Sequence, residues 1–370
     1  MKAAGKTNRA VFTLVSREKS TRFEDLVIDG SGANVRGTVE LDAAGDLASA
    51  VFPVFALSDG DKTSVKAERG NDGVMRISMR GDVYDGRGFV KAFFGGGEAN
   101  DKPKTEGIDL DVDVRLGAIA GHNGEALRGV DLKVSRRNGQ IRTFALNSKI
   151  GRDSALTGEL RASAQRKNVM YFETHDAGAL MRFTDTYPRM HGGQMWVAMD
   201  APTADQTPQD GIVNFRDFWV RGEPALNSVV GAAQNDSRGV EFTRMKVDFT
   251  RTPGKLLVKE GVVRGPTVGA TVDGTIDFAR NDVRMRGTFV PLYGLNNALG
   301  QIPIVGMFLG GANEGLVGIT YEVVGPPSSP KLNVNPISAV APGMLRKFFE
   351  FPNSNRIDMP DAAPTGAATR

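Results

Sequence analysis

The chain contains no cysteine. Disulfides, thiol nucleophiles and thiolate metal sites are thereby excluded, while the compartment stays open, because a large β protein needs no covalent staples. Histidine is almost as scarce. His122, His175 and His191 stand far apart without an H-x-x-x-H spacing, so each reads as a surface or loop residue. Neither sign of charge prevails: 46 Lys plus Arg against 43 Asp plus Glu leave +3 over 370 residues. That balance offers no basic footprint for nucleic acid.

Other familiar signals are missing too. The opening MKAAGKTNRAVFTLVSREK has only Val11–Val15 as an apolar stretch, and a signal peptide needs roughly 7–15 apolar residues. No G-x-x-x-x-G-K-[ST] phosphate loop and no G-x-S-x-G elbow occur. GFVKAFFGGGEAN (Gly88–Asn100) is glycine-rich, but no helix is expected to follow it. Asp109, Asp111 and Asp113 share one strand face about 7 Å apart, without the D-x-D-x-D-G loop that calcium requires. No carboxylate pair stands out for glycoside chemistry. No cofactor and no catalytic residue are predicted, and a glycan-acting β-solenoid enzyme is the weakest of the readings.

What is present is strand pattern. Apolar residues make up 40% of the chain, and 45 glycines and 18 prolines punctuate short segments, as in a protein of many strands and tight turns. Ile108, Leu110, Val112, Val114 and Leu116 alternate with Asp109, Asp111, Asp113 and Arg115. Met75, Ile77 and Met79 alternate with Arg76, Ser78 and Arg80; Arg80-Gly81-Asp82 then reads as a turn. Met245, Val247 and Phe249 alternate with charged residues, and Val283, Met285 and Phe289 share a face opposite Arg284 and Arg286. One oily and one wet face per strand is the antiparallel pattern. With 13 methionines and 20 phenylalanines, the oily faces are soft enough to serve as core or as a lining for acyl chains.

A loose unit recurs. FEDLVIDGSGANVRGTVELDAAGDL (Phe23–Leu47) resembles LLVKEGVVRGPTVGATVDGTIDFARNDV (Leu256–Val283), each reading strand, glycine turn, strand, glycine, strand, polar turn. Such units bury their apolar faces only by stacking. Residues 1–150 are expected to be repeated β units, 151–351 a second domain, and 352–370 a disordered tail. Helical pattern is confined to His175–Tyr187, with a cap at Asp176, to Gly222–Ala233, and to the C-terminal end.

Near that end, GTFVPLYGLNNALGQIPIVGMFLGG (Gly287–Gly311) is nearly uncharged. A membrane span needs about 20 mostly apolar residues, and here Asn296, Asn297, Gln301, Pro303 and three glycines interrupt the run. Two short helices fit better, one carrying Leu292, Leu295 and Leu299, the next Ile304, Val305, Met307, Phe308 and Leu309. PISAVAPGMLRKFFEF (Pro336–Phe351) sets Leu345, Phe348 and Phe349 at helical spacing. These apolar faces either plug the end of the sheet or meet a membrane surface.

The series HDAGALMRFTDTYPRMHGGQMWV, GEPALNSVVGAA, GVVRGPTVGATVDGTIDF and Gly287–Phe351 resembles the C-terminal region of the AsmA-like family, the bacterial envelope group of AsmA, TamB and YhdP. The resemblance runs from about Gly151 to Phe351, and is most specific where P-x-Y-x-L-N, I-P-I-x-G, V-x-G-P…P-K and N-P-I-S-A-x-A-P-G follow in order. It implies an elongated antiparallel β-sheet curled into an open groove (β-taco-like), with a few short amphipathic helices near the C-terminal end. It also implies a non-enzymatic envelope protein on the periplasmic side that transfers phospholipid, or another acyl-chain lipid, between inner and outer membrane. Members usually carry an N-terminal transmembrane helix and a longer upstream portion. The chain is accordingly expected to be a distal fragment or a shortened member, anchored in the inner membrane only through such an upstream helix. The groove lining is predicted to be Met75, Ile77, Met79, Ile108, Leu110, Val112, Val114, Leu116, Met245, Val247, Phe249, Val283, Met285 and Phe289. Leu292, Leu295, Leu299, Ile304, Val305, Phe308, Leu309, Leu345, Phe348 and Phe349 are expected to face a membrane or an outer-membrane partner protein. The alternative is a structural scaffold that assists outer-membrane protein assembly, its sheet an ordinary closed core.

Overall fold

The computed structural model describes residues 9–30, 32–95, 108–162, 168–203, 208–223, 239–266, 268–291, 319–327 and 329–335. They are mainly β, with nineteen strands and two short helices. The chain falls into two compact units that part chiefly at Leu160 and Arg161.

The first unit is built on β1 (Arg9–Arg17), β2 (Ser20–Gly30), β3 (Ala33–Asp42), β4 (Leu47–Ala56), β5 (Lys62–Arg69), β6 (Met75–Asp85), β7 (Leu110–Ala120), β8 (Ala126–Arg137), β9 (Gln140–Ile150) and β10 (Ser154–Ala162). Each strand pairs with its neighbour in sequence. The turn chemistry explains this meander. Asn138 and Gly139 both sit at positive φ between β8 and β9, with Arg137 opposite Gln140; this is the Asn-Gly hairpin turn whose twist matches that of its strands.

One pair departs from the antiparallel expectation. β6 and β7 run parallel, and parallel neighbours need a crossover of a dozen or more residues. Helix α1 (Arg87–Gly95) lies on that crossover, in a segment not among those where helical pattern was read. Val90 is buried, whereas Phe89 is 67% exposed. Two further readings are corrected. Arg80-Gly81-Asp82 lies inside β6, where the pairing with β5 shifts register at Lys62/Thr63. Gly37 and Gly274 do not divide strands. β3 and β16 (Val268–Asp277) run through them, and β3 shifts register against β4 there. Glycine within a strand marks a bulge as readily as a stop.

The second unit continues with β11 (Asn168–Thr174), helix α2 (Ala177–Phe183), β12 (Met190–Asp200), β13 (Gln209–Val220), β14 (Val240–Thr252), β15 (Lys255–Arg264), β16, β17 (Asp282–Pro291), β18 (Ile319–Gly325) and β19 (Lys331–Asn335). From β11 to β19 the strand pairings are antiparallel and sequential. The cap read at Asp176 is present: its Oδ1 accepts the Ala179 N–H at 2.9 Å, which satisfies one orphan donor of the first turn. Pro291, the expected start of the first C-terminal helix, is the last residue of β17. The rest of that helix to Gly300, the one from Pro303 to Gly311, the one over Pro336–Phe351 and most of the one at Gly222–Ala233 lie outside the described residues, as does the tail.

No described helix is long and apolar enough to cross a membrane.

Candidate functional site

The register of each unit aligns the apolar alternation of its separate strands. In the first unit one row runs Leu14, Phe23, Val39, Ala50, Ala67, Ile77, Val112, Val134, Phe144 from β1 to β9, each residue directly opposite the next. A second runs Phe52, Val65, Met79, Val114, Leu132, Leu146 and ends at Gly158. Directly opposed residues share a face, so one side of this sheet is apolar from strand to strand.

The other side is polar. Its parallel row reads Arg22, Glu40, Ser49, Glu68, Arg76, Asp111, Ser135, Thr143. The aspartates of β7 are occupied there by arginines: Arg137 reaches Asp111 at 2.8 Å and Arg80 reaches Asp113 at 3.1 Å. Asp109 accepts the Asn138 N–H at 2.7 Å. Among the described residues no group of three His, Asp or Glu is placed to hold a metal ion.

The apolar face of the first unit is only half covered. Ala50, Ala67, Met75 and Phe144 are buried, but Ile77, Val112, Val134, Val65, Met79, Val114, Leu132 and Leu146 are all of intermediate exposure. A sealed core would bury such residues. At the β1 end Leu14 stays 56% exposed.

The second unit repeats the arrangement and closes part of it. Its rows are Phe172, Val197, Val213, Val247, Gly261, Val272, Gly287, Tyr321, Val334, and alongside it Met195, Phe215, Met245, Val263, Ala270, Phe289, Ile319. Helix α2 packs over one end of these rows, where Ala177, Met190, Met195, Phe215, Phe218, Phe242, Ala270 and Phe289 form a sealed cluster. The helix approaches closely because Gly178 has no side chain: a Cβ there would stand 2.6 Å from the His191 Cα. Local backbone conformation helps to seat it, without a change of register. Gly192, Gly193 and Asp217 take positive φ in β12 and β13, so Phe215 and Phe218 both point into the cluster. Val197, Val213, Val323 and Leu332 are partly buried and pack against this cluster, and Val272 is likewise partly buried.

Tyr321 ties the middle row together. Its ring covers Gly287, directly opposite, and its hydroxyl donates to the Thr271 carbonyl at 2.7 Å. Burial raises its pKa well above the ordinary phenol value, because a phenolate would be poorly solvated there. His191 is shifted the other way. Burial, then the charges of Arg221 and Arg182, hold its pKa below 6.5.

The predicted lining residues thus fall as follows. Ile77, Met79, Ile108, Leu110, Val112 and Val114 are half-exposed on the apolar side of the first unit, with Met75 and Leu116 buried. Val247, Phe249, Val283 and Phe289 are buried in the second unit, with Met245 and Met285 half-buried. Val112 and Met79 are brought into rows with partners from every neighbouring strand. The alternation did not single out those partners, such as Val39, Ala67, Val134 and Leu132. Leu132 and Val134 alternate with Asp131 and Lys133, and Val65 and Ala67 with Lys66 and Glu68, but which strand lies beside which is not written along a single strand. The ten residues expected to face a membrane or partner all lie outside the described residues.

No protein-family model, curated protein or solved structure matches the chain.

Proposed function

We propose that the chain is a lipid-binding segment of AsmA-like type, a non-enzymatic envelope protein whose sheet curls into a groove that passes phospholipid between inner and outer membrane. The carrying observation is the apolar row that runs without a polar interruption from Phe23 to Phe144, in which Ala50, Ala67 and Phe144 are buried and Phe23, Val39, Ile77, Val112 and Val134 only partly so. Each acyl CH₂ taken out of water onto such a surface is worth about 0.8 kcal/mol, so a chain is held along the row without a specific head-group contact. Charged residues on the opposite side keep that face in water and leave the row as the natural seat for fatty tails. The sequence elements from Gly151 to Phe351 support the family, and the expected C-terminal helices would supply the contact with a membrane or an outer-membrane partner.

The scaffold reading is favoured by a different observation, the sealed cluster beneath α2, which is an ordinary core. The two readings diverge at the apolar row. Mass spectrometry of lipids co-purifying with the chain from a mild detergent extract, with a photo-crosslinker placed at Val112, is expected to return phospholipid and an acyl adduct. Lipid at background together with a silent crosslinker would remove the groove reading and leave the scaffold.

A further inference from the structure

The polar face of the second unit carries an arrangement that sheet surfaces normally avoid. Arg216 on β13 stands directly opposite Arg244 on β14, and Arg244 directly opposite Arg264 on β15. Directly opposed residues have Cα atoms about 4.5–5.5 Å apart, and like charges so placed destabilise a sheet. Elsewhere on these polar faces a cation is set beside an acid: Arg286 reaches Asp273 at 3.1 Å, and Lys246 reaches Asp248 at 3.5 Å. Arg216 and Arg264 form no side-chain ion pair among the described residues. The row continues into Gln194 opposite Arg216 and Gly269 opposite Arg264, so neither flank supplies an acid.

One register step away stand Trp196 and Asn214, opposite each other. Asn214 is 3% exposed. Its Oδ1 and the indole N–H of Trp196 are buried without a hydrogen-bond partner among the described residues. Burial, then the Arg216 charge, lower the Arg244 pKa from its ordinary value.

We propose that Arg216, Arg244 and Arg264 form a ridge that binds phosphate groups. A guanidinium fork matches phosphate oxygens two at a time. Two forks at sheet spacing bracket one phosphate, and the third extends the ridge to a diphosphate. Bound phosphate would offset the like charges that the register sets side by side. The ridge lies on the face away from the apolar rows, so it stands whether or not those rows carry lipid. Phosphate can arrive in solution or as the head group of a phospholipid.

The test uses the full chain. Thermal unfolding and calorimetric titration with sodium pyrophosphate are compared with sodium chloride at equal ionic strength. Flotation with phosphatidylcholine vesicles is measured with and without phosphatidic acid. Pyrophosphate is expected to bind and to raise the melting midpoint. The double variant R216Q/R264Q is expected to bind about tenfold or more weakly, and to melt in chloride no lower than the parent. R216K/R264K, which keeps charge but loses the forks, is expected to fall between. Vesicle binding that needs phosphatidic acid and disappears in the Gln variant assigns the ridge to a head group; a pyrophosphate response without vesicle binding assigns it to soluble phosphate. A parent chain that responds to neither ligand overturns the proposal. So does a Gln variant that binds like the parent, or one that melts lower in chloride, which would make the arginines structural.

Discussion

Gly178 and Asp176 hold α2 in place by opposite means, one by having no side chain and one through its carboxylate. Gly178→Val would force a branched side chain against the backbone at His191. Overpacking of this kind costs about 1–3 kcal/mol, read as a lower midpoint in urea unfolding. Asp176→Ala removes the acceptor for the Ala179 N–H and is expected to cost about 1 kcal/mol. His191 gives a pH dependence with a definite sign. Its folded pKa lies below 6.5, so below that pH the unfolded chain binds more protons than the folded one. Stability is full above about pH 6.5 and falls as pH drops below it. Unfolding curves across this window are expected to show the loss in the parent and a flatter profile in His191→Asn. A profile that stays steep in the variant assigns the loss to other groups.

Whole rows, more than single strands, carry the functional argument at the scale of elements. Val112 on β7 is half-exposed, whereas Phe289 on β17 is 4% exposed and stacks on Tyr321 with ring centroids 4.2 Å apart. Val112→Asp is expected to leave the melting midpoint within a few degrees of the parent while abolishing lipid capture. Phe289→Asp buries an unpaired charge and is expected to unfold the second unit. If Val112→Asp unfolds the first unit as well, its apolar face is a closed core and the groove reading falls. The alternating residues of β6, β7, β14 and β17 were legible because those segments keep strict period two. The long rows were not legible, since bulges at Phe23/Leu26 and Arg36/Thr38 change the face of later residues within one strand. The parallel β6–β7 pair was invisible for a related reason: amphipathic alternation looks the same in either strand direction.

At the scale of the whole molecule, the described strands within each unit pair with their sequence neighbours, so each unit gathers its own buried residues largely from local segments. Repeat-like sheets of this kind unfold in pieces and not as one cooperative block. Calorimetry is expected to resolve two transitions, with Phe144→Ala lowering one and Phe218→Ala the other, each by about 3–5 kcal/mol; a single transition shifted by both variants would show one cooperative core. The amino-acid order settled the mainly β class, the wet and oily faces of individual strands, the cap of α2 and the Asn-Gly turn, because all of these depend on residues a few positions apart. It left open which strand lies beside which, the direction of β7, the sealing of one end by α2, and the arginine ridge. Those features depend on register between segments remote in sequence, and register is chosen by the packing and hydrogen bonding of the folded sheet.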